Sequence, residues 1–364
     1  MRTWNIDKIM ESKISDDMKS VILQEYKKDP LSDIDPNNFS KRIITLKDIK
    51  RTYRLADAYL YQQLREDYLK TKYLYAYFPY ESVMPYSFEE IDITDEDLIE
   101  ITLDFYKSLN DKEIYDKISY LLDPKNGLLH IQKYDKDNPI CNEVKGRCIK
   151  SLTSNDVFMS YYMKGTSEDE QIFTHETGHM LSHALFGQNI NPLVQNFLSE
   201  TESYLFESLM NSYIANNLKC PDLALHLEAN RTAKIVDIIW NIRLIEHLAL
   251  QFGKKINISA LNRKLNKDGL EVNYSIDDIQ DIITFTYYEL NSILYSYLAA
   301  LHFYKQILTD QEKGLFLYKE FSISTDTKLS ELFDNNQVDM DEIIMYLNTM
   351  YEKATTLKKK HTEV

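Results

Sequence analysis

H-E-T-G-H-M-L-S-H-A-L-F-G, residues 175–187, is the stretch from which the rest of this chain is read. On a helix, residues four apart lie on one face about one turn from each other, so His175 and His179 can turn both imidazoles toward a single ion. Glu176 is rotated by about 100° from His175, near enough to reach a water held by that ion without itself being a ligand. Two neutral imidazoles and one carboxylate suit zinc, leaving a fourth position for water whose pKa the ion lowers to about 7. Glu176 then takes the proton as the water attacks a peptide carbonyl. The plainer alternative is an amphipathic helix whose histidines merely cap a core.

The flanking sequence favours the ion. E-D-E-Q-I-F-T leads into the motif, and Gly187 can end the helix in the left-handed conformation. Gly178 costs a helix about 1 kcal/mol relative to alanine, a penalty that points to another backbone close by. A third ligand is needed, and the next helix supplies candidates. Asn191 and Pro192 read as its cap and first position, ahead of L-V-Q-N-F-L-S-E-T-E-S-Y-L-F-E-S-L-M. At about 100° per residue Glu200 and Glu207 differ by about 20° and share a face, whereas Glu202 points nearly the opposite way. We take Glu200 as the ligand, Glu207 as the partner that orients a histidine, and Glu202 as a solvated helix residue. His183 continues the four-residue series but sits two turns on, too far to close a tetrahedral site, and reads as a core or cleft-wall residue.

H-E-T-G-H followed by F-L-S-E-T-E-S-Y-L-F-E resembles the oligoendopeptidase F branch of the thimet oligopeptidase family. That family carries H-E-x-G-H, then a helix with F-V-x-E-x-x-S and a further Glu seven on. The resemblance implies a gluzincin peptidase with one zinc per chain on His175, His179 and Glu200, and Glu176 as general base. It implies a mainly α fold: a zincin-type core with a small β-sheet, and two helical lobes flanking a substrate cleft. Outside the motif, I-T-D-E-D-L-I-E-I-T-L-D-F-Y-K-S-L from Ile93 is similar to the family's helix before the core. N-D-V-F-M-S-Y-Y-M-K-G-T, residues 155–166, is similar to its substrate-facing edge strand, and the likeness runs from about Ser82 to about Tyr351.

Two departures stand out. The family places a His, a Tyr, a Tyr-x-Tyr pair and a Gly-containing loop late in the chain, where they bind substrate and stabilise the oxyanion. In T-Y-Y-E-L-N-S-I-L-Y-S-Y-L-A-A, residues 286–300, Tyr295 and Tyr297 keep the pair; only Tyr287 or Tyr288 stands for the His, Leu290 takes the Tyr position and Ala replaces Gly. Tyr297 is the aligned oxyanion donor, with His302 a second possible donor, and Tyr287 and Tyr295 are substrate contacts. The region ahead of the likeness is also shorter than the family's.

Composition sets bounds. At 364 residues with 44% hydrophobic content the chain buries a substantial core, which excludes a disordered protein. No proline follows Pro221, so the C-terminal part is expected to be nearly all helix. A net charge of −15 argues against nucleic acid, whose phosphates need clustered Lys and Arg. It leaves open a preference for cationic peptides; its plainer role is solubility. Three sparse cysteines imply no disulfide scaffold and fit a reducing compartment. The charged N-terminus lacks the apolar run of a signal peptide, and no stretch has 18 uninterrupted apolar residues. The expectation is a cytoplasmic protein without a membrane partner.

Along the chain, residues 1–122 read as an N-terminal helical region, 123–215 as the catalytic core and 216–364 as a C-terminal helical region. Short helices over 5–26, a turn-rich linker and a Tyr-rich helix over 46–75 come first. A helix pair follows over 94–109 and 111–122. Asp123 to Gly127 is a turn opening the strand-like segments from Leu128 and Val157, with a loop and strand over 142–150 between them. We expect residues 157–166 to be the edge that accepts an extended peptide, with Tyr161 and Gly146 as contacts. Three functions fit: a peptidase of short peptides, a processing peptidase dedicated to one peptide precursor, or a non-catalytic scaffold that binds peptide or protein.

Overall fold

The computed structural model describes residues 93–134, 146–150, 157–186, 192–249, 257–267, 273–275 and 287–323, with isolated positions at 16, 19, 20, 22, 23, 345, 346, 349, 350, 352, 353 and 356. The expected helix over 46–75, the Gly187 stop, the Asn191 cap and most of 5–26 lie outside them. What is described is mainly helical with one small three-stranded sheet, the expected fold class.

Helix α1, Asp95–Ser108, begins where the sequence offers a hydroxyl and acids: the Thr94 side chain accepts from the Asp97 amide, and the Asp97 carboxylate accepts from the Thr94 amide. Helix α2, Lys112–Leu122, is capped by Asp111, and a short turn over Pro124–Asn126 ends on Gly127 at a φ of 68°. Strands β1 (Leu129–Lys133), β2 (Gly146–Lys150) and β3 (Val157–Met163) follow. Their order is β1-β3-β2, with β3 parallel to β1 and antiparallel to β2.

This order corrects one expectation. Residues 157–163 form the central strand, and every one of them is buried. The unbroken run V-F-M-S-Y-Y-M carried that signal, because a strand covered on both faces loses its apolar and polar alternation. Among the described residues, β1 and β2 are the edges instead.

Asp169 turns β3 into the next helix: its carboxylate accepts from the Tyr161 hydroxyl at 2.8 Å and from the amides of Lys164 and Thr166. Helix α3, Asp169–Leu181, carries the histidines and continues into a π turn over Ser182–Phe186. Helix α4, Pro192–Asn216, packs along it. A Cβ added at Gly178 would lie 2.7 Å from the Ser203 Cα, so the glycine is what lets the two backbones approach. An aromatic chain joins Tyr106 of α1, whose hydroxyl is 2.9 Å from Thr177 Oγ1 of α3, to Phe206 (ring centroids 5.1 Å apart) and Phe206 to Tyr318 (5.8 Å apart). Tyr318 lies in α8, Gln311–Ser322.

The remaining helices are α5 (Pro221–Ala249), α6 (Ile258–Lys267) and α7 (Tyr287–Thr309). The chain divides into two compact units: 1–41 with 87–227 and 303–325, and 42–86 with 228–302 and 326–364. The first holds the sheet, α1–α4 and α8. In the second, Arg231 of α5 is 2% exposed. A charge so deeply buried needs compensation: its Nη2 donates to both oxygens of Glu228 at 2.5 Å, and the Tyr346 hydroxyl donates to Glu228 at 3.1 Å.

Candidate metal centre

Two successive helices of the first unit bring three ligand groups together. The donor atoms of His175, His179 and Glu200 lie within 4.8 Å of one another. Glu200 Oε2 is 3.8 Å from His175 Nε2, and Glu200 Oε1 is 3.6 Å from His179 Nε2. In a tetrahedral zinc site with spokes near 2.1 Å, two donors stand about 3.4 Å apart, so both separations from Glu200 are close to what the ion needs. The three side chains keep between 16% and 21% of their surface exposed, enough for solvent to reach the donors.

Each imidazole is held by its other nitrogen. His175 Nδ1 is 3.1 Å from Glu207 Oε2, the partner read from the shared helix face. His179 Nδ1 is 2.8 Å from Ser199 Oγ, a residue missing from the sequence reading. Serines are common on helices, and its position beside Glu200 was the only hint. With both Nδ1 atoms engaged, both Nε2 atoms turn toward Glu200, and the partners fix the ring orientation. The Tyr204 ring, 5.1 Å from that of His175, adds packing.

The electrostatics ask for a cation. Burial works against a charged His175, yet the Glu207 hydrogen bond and the fields of Glu207, Glu200 and Glu176 outweigh it and lift its pKa to about 9. Burial, with His175 and His183 close by, holds His179 well below the ordinary histidine range. Burial also pushes Glu176 up to about 7, opposed by His175 and aided by Glu200 and Glu207. Three carboxylates surround two imidazoles whose rings are 4.9 Å apart, so the cluster is electronegative. A divalent ion supplies the compensation, and the residues present fit one.

Glu176 lies against β2: a Cβ at Gly146 would stand 2.3 Å from its Cδ. Gly146, expected to touch substrate, therefore touches the acid. Tyr161, also expected as a contact, has no exposed surface; its hydroxyl is used by Asp169 and its ring packs on Phe173 at 5.1 Å. Tyr297 is likewise fully covered, with the Arg231 guanidinium 5.1 Å from its ring centroid. The side chains of Tyr287 and Tyr295 lie outside the described residues. His302 is 8% exposed, and His183 sits half-buried in the π turn.

A further correction concerns Glu202. Expected in solvent, it is 1% exposed, and burial lifts its pKa to about 8 even though the neighbouring Tyr318 and Ser182 side chains oppose the shift. The face of α4 opposite the histidines is not a surface, because α1 and α8 cover it.

Among the described residues, no helix is long and apolar enough to cross a membrane. No family model and no curated protein sequence matches the chain. Solved structures do. A protein assigned as an oligoendopeptidase F from Bacillus anthracis str. Ames matches with a TM-score of 0.55 at 13% identity, covering 95% of this chain and 68% of that one. PZ peptidase A with an inhibitor matches at 0.57 and 12% identity, covering 96% and 72%. A protein assigned as a peptidase from Chlamydophila abortus matches at 0.53 and 16% identity, covering 90% and 56%. At such identities the likeness is one of fold, and the fold it shares is that of oligoendopeptidase F-type proteins.

Proposed function

We propose that the chain is a zinc-dependent endopeptidase of short peptides, similar to oligoendopeptidase F. The observation that carries this reading is the His175, His179 and Glu200 cluster, open to solvent, with Glu176 one residue from its first ligand. The fold likeness to solved peptidases supports it. Zinc, held by those three residues, supplies Lewis acidity: it acidifies water and polarises a carbonyl.

This chain's own groups do the rest. Glu176 is buried beside the ligands, and burial works to raise its pKa from the ordinary carboxylate range toward that of a group which can both accept and release a proton. It takes a proton from the attacking water and gives it to the leaving amine. Glu207 and Ser199 keep the two imidazoles aimed. The outer edge of β2, which meets Glu176 at Gly146, is where an extended peptide adds a strand, held by main-chain pairs whatever its sequence. Tyr297, fully covered in the second unit, is the proposed donor to the oxyanion on the family resemblance alone. A cytoplasmic location is proposed on the free thiols of Cys148 and Cys220.

The test is metal analysis of the purified protein beside a quenched-fluorescence peptide library. One zinc per chain and turnover abolished by Glu176→Gln, with zinc retained, is the expected result; protein that takes up no zinc refutes it.

A further inference from the structure

Residues of β2 alternate between its two faces, so Gly146 and Cys148 share one face and Arg147 and Ile149 the other. The Gly146 face is turned to α3. A Cβ at Gly146 would lie 2.3 Å from Glu176 Cδ, 2.4 Å from Cγ and 2.7 Å from Oε2, so the carboxylate rests on bare strand backbone. Two residues on, the Cys148 thiol donates to the Glu176 carbonyl at 3.5 Å. The strand thus meets Glu176 twice, once at its side chain and once at its main chain. The strand itself is anchored: Gly146 pairs with Tyr161 and Cys148 with Met159 of the buried central strand.

We propose that Gly146 is a positioning residue for Glu176: by having no side chain, it gives the carboxylate a flat seat on β2 that selects the conformer facing the metal ligands. This rests on Glu176 being the general base. The physical argument lies in what gives way. Any side chain at 146 must displace either a strand paired along its length to β3 or one glutamate side chain with three rotatable bonds. The glutamate yields, because turning it costs less than breaking a ladder. Gly178 is the opposite case, since its neighbour is the Ser203 backbone and cannot turn aside.

Gly146→Ala is therefore expected to fold, to bind one zinc, and to lose kcat by about 100-fold with little change in KM, the scale of a misplaced reacting group. Crystals of the metal-free variant should show the Glu176 carboxylate moved off β2 with the strand in place. Glu176→Asp withdraws the clashing atoms, so in that background the alanine should change kcat by less than about threefold. A wild-type kcat in Gly146→Ala, a carboxylate that superimposes on the wild type, or an equal loss in both backgrounds overturns the proposal; the last is what a damaged sheet would give. A zinc-loaded wild-type protein with no hydrolysis sinks the peptidase reading instead, and the position of the carboxylate in metal-free crystals still decides the seat.

Discussion

Glu202→Gln is expected to make the protein more stable, and by an amount that grows with pH. Glu202 sits on the covered side of α4, where burial raises its pKa from 4.5 to about 8 and the neighbouring Tyr318 and Ser182 side chains recover only part of the cost. A carboxyl whose folded pKa lies above its unfolded one binds more protons when folded. Its contribution is therefore at its best below about pH 4.5, declines as pH rises, and levels off above about pH 8. The gap is worth at most about 5 kcal/mol above pH 8 and about 3 kcal/mol at pH 7. Relaxation and water entry reduce such buried-group penalties, so we expect roughly 1–3 kcal/mol at pH 7. Glutamine keeps the shape and never ionises; it should match the wild type near pH 4.5 and exceed it increasingly at pH 7 and 9.

Urea unfolding at those three pH values, on chelator-treated protein so that metal linkage does not enter, measures the difference. A stability difference that does not vary with pH, or a glutamine variant that is weaker throughout, refutes the assignment of a neutral buried acid to this position.

Gly178→Ala gains about 1 kcal/mol of helix propensity but drives a methyl to 2.7 Å from the Ser203 Cα; net destabilisation by about 1–3 kcal/mol and weaker zinc binding are expected from thermal melts and metal titration. Glu207→Gln and Ser199→Ala each release one imidazole, and each should weaken zinc affinity about 10–100-fold in competition with a chelator while leaving the fold intact. Tyr297→Phe should lower kcat by roughly 100-fold if that hydroxyl meets the oxyanion; unchanged kcat removes it from the mechanism.

The metal cluster was legible because helical geometry is local. A spacing of four from His175 to His179, and of seven from Glu200 to Glu207, fixes which side chains share a face before anything about packing is known. Gly178 was legible for the same reason, since a glycine inside a helix has a known cost and hence implies a compensating contact. What failed was the step from face to environment. Glu202 was assigned to solvent because it points away from Glu200, but α4 has neighbours on both sides, and one helix's rotation cannot show how many helices surround it. The strand at 157–163 was read as an edge by resemblance, against its own unbroken apolar pattern. Ser199 had no pattern at all: only the tertiary fold brings it to a histidine twenty residues away.

The donor separations of 3.6 and 3.8 Å depend on how α3 and α4 are held together, and that packing does not need the ligand side chains. Gly178 seats α3 against Ser203, and the chain of Tyr106, Phe206 and Tyr318 backs α4 against α1 and α8, with the Tyr106 hydroxyl 2.9 Å from Thr177 Oγ1 of α3. Both contacts are independent of the histidines. A site assembled by its scaffold binds metal without folding around it, unlike a zinc finger, whose ligand cluster does not exist until the ion arrives. Chelation should therefore lower the melting temperature only by the lost binding energy, about 4 kcal/mol for zinc at a thousand times its Kd, while leaving the helical circular dichroism signal at 25 °C unchanged. Far-ultraviolet spectra and melts with and without chelator distinguish the two cases. A helical signal that collapses when zinc is removed would mean that the ion builds the site, and that the separations seen here owe nothing to the packing around α4.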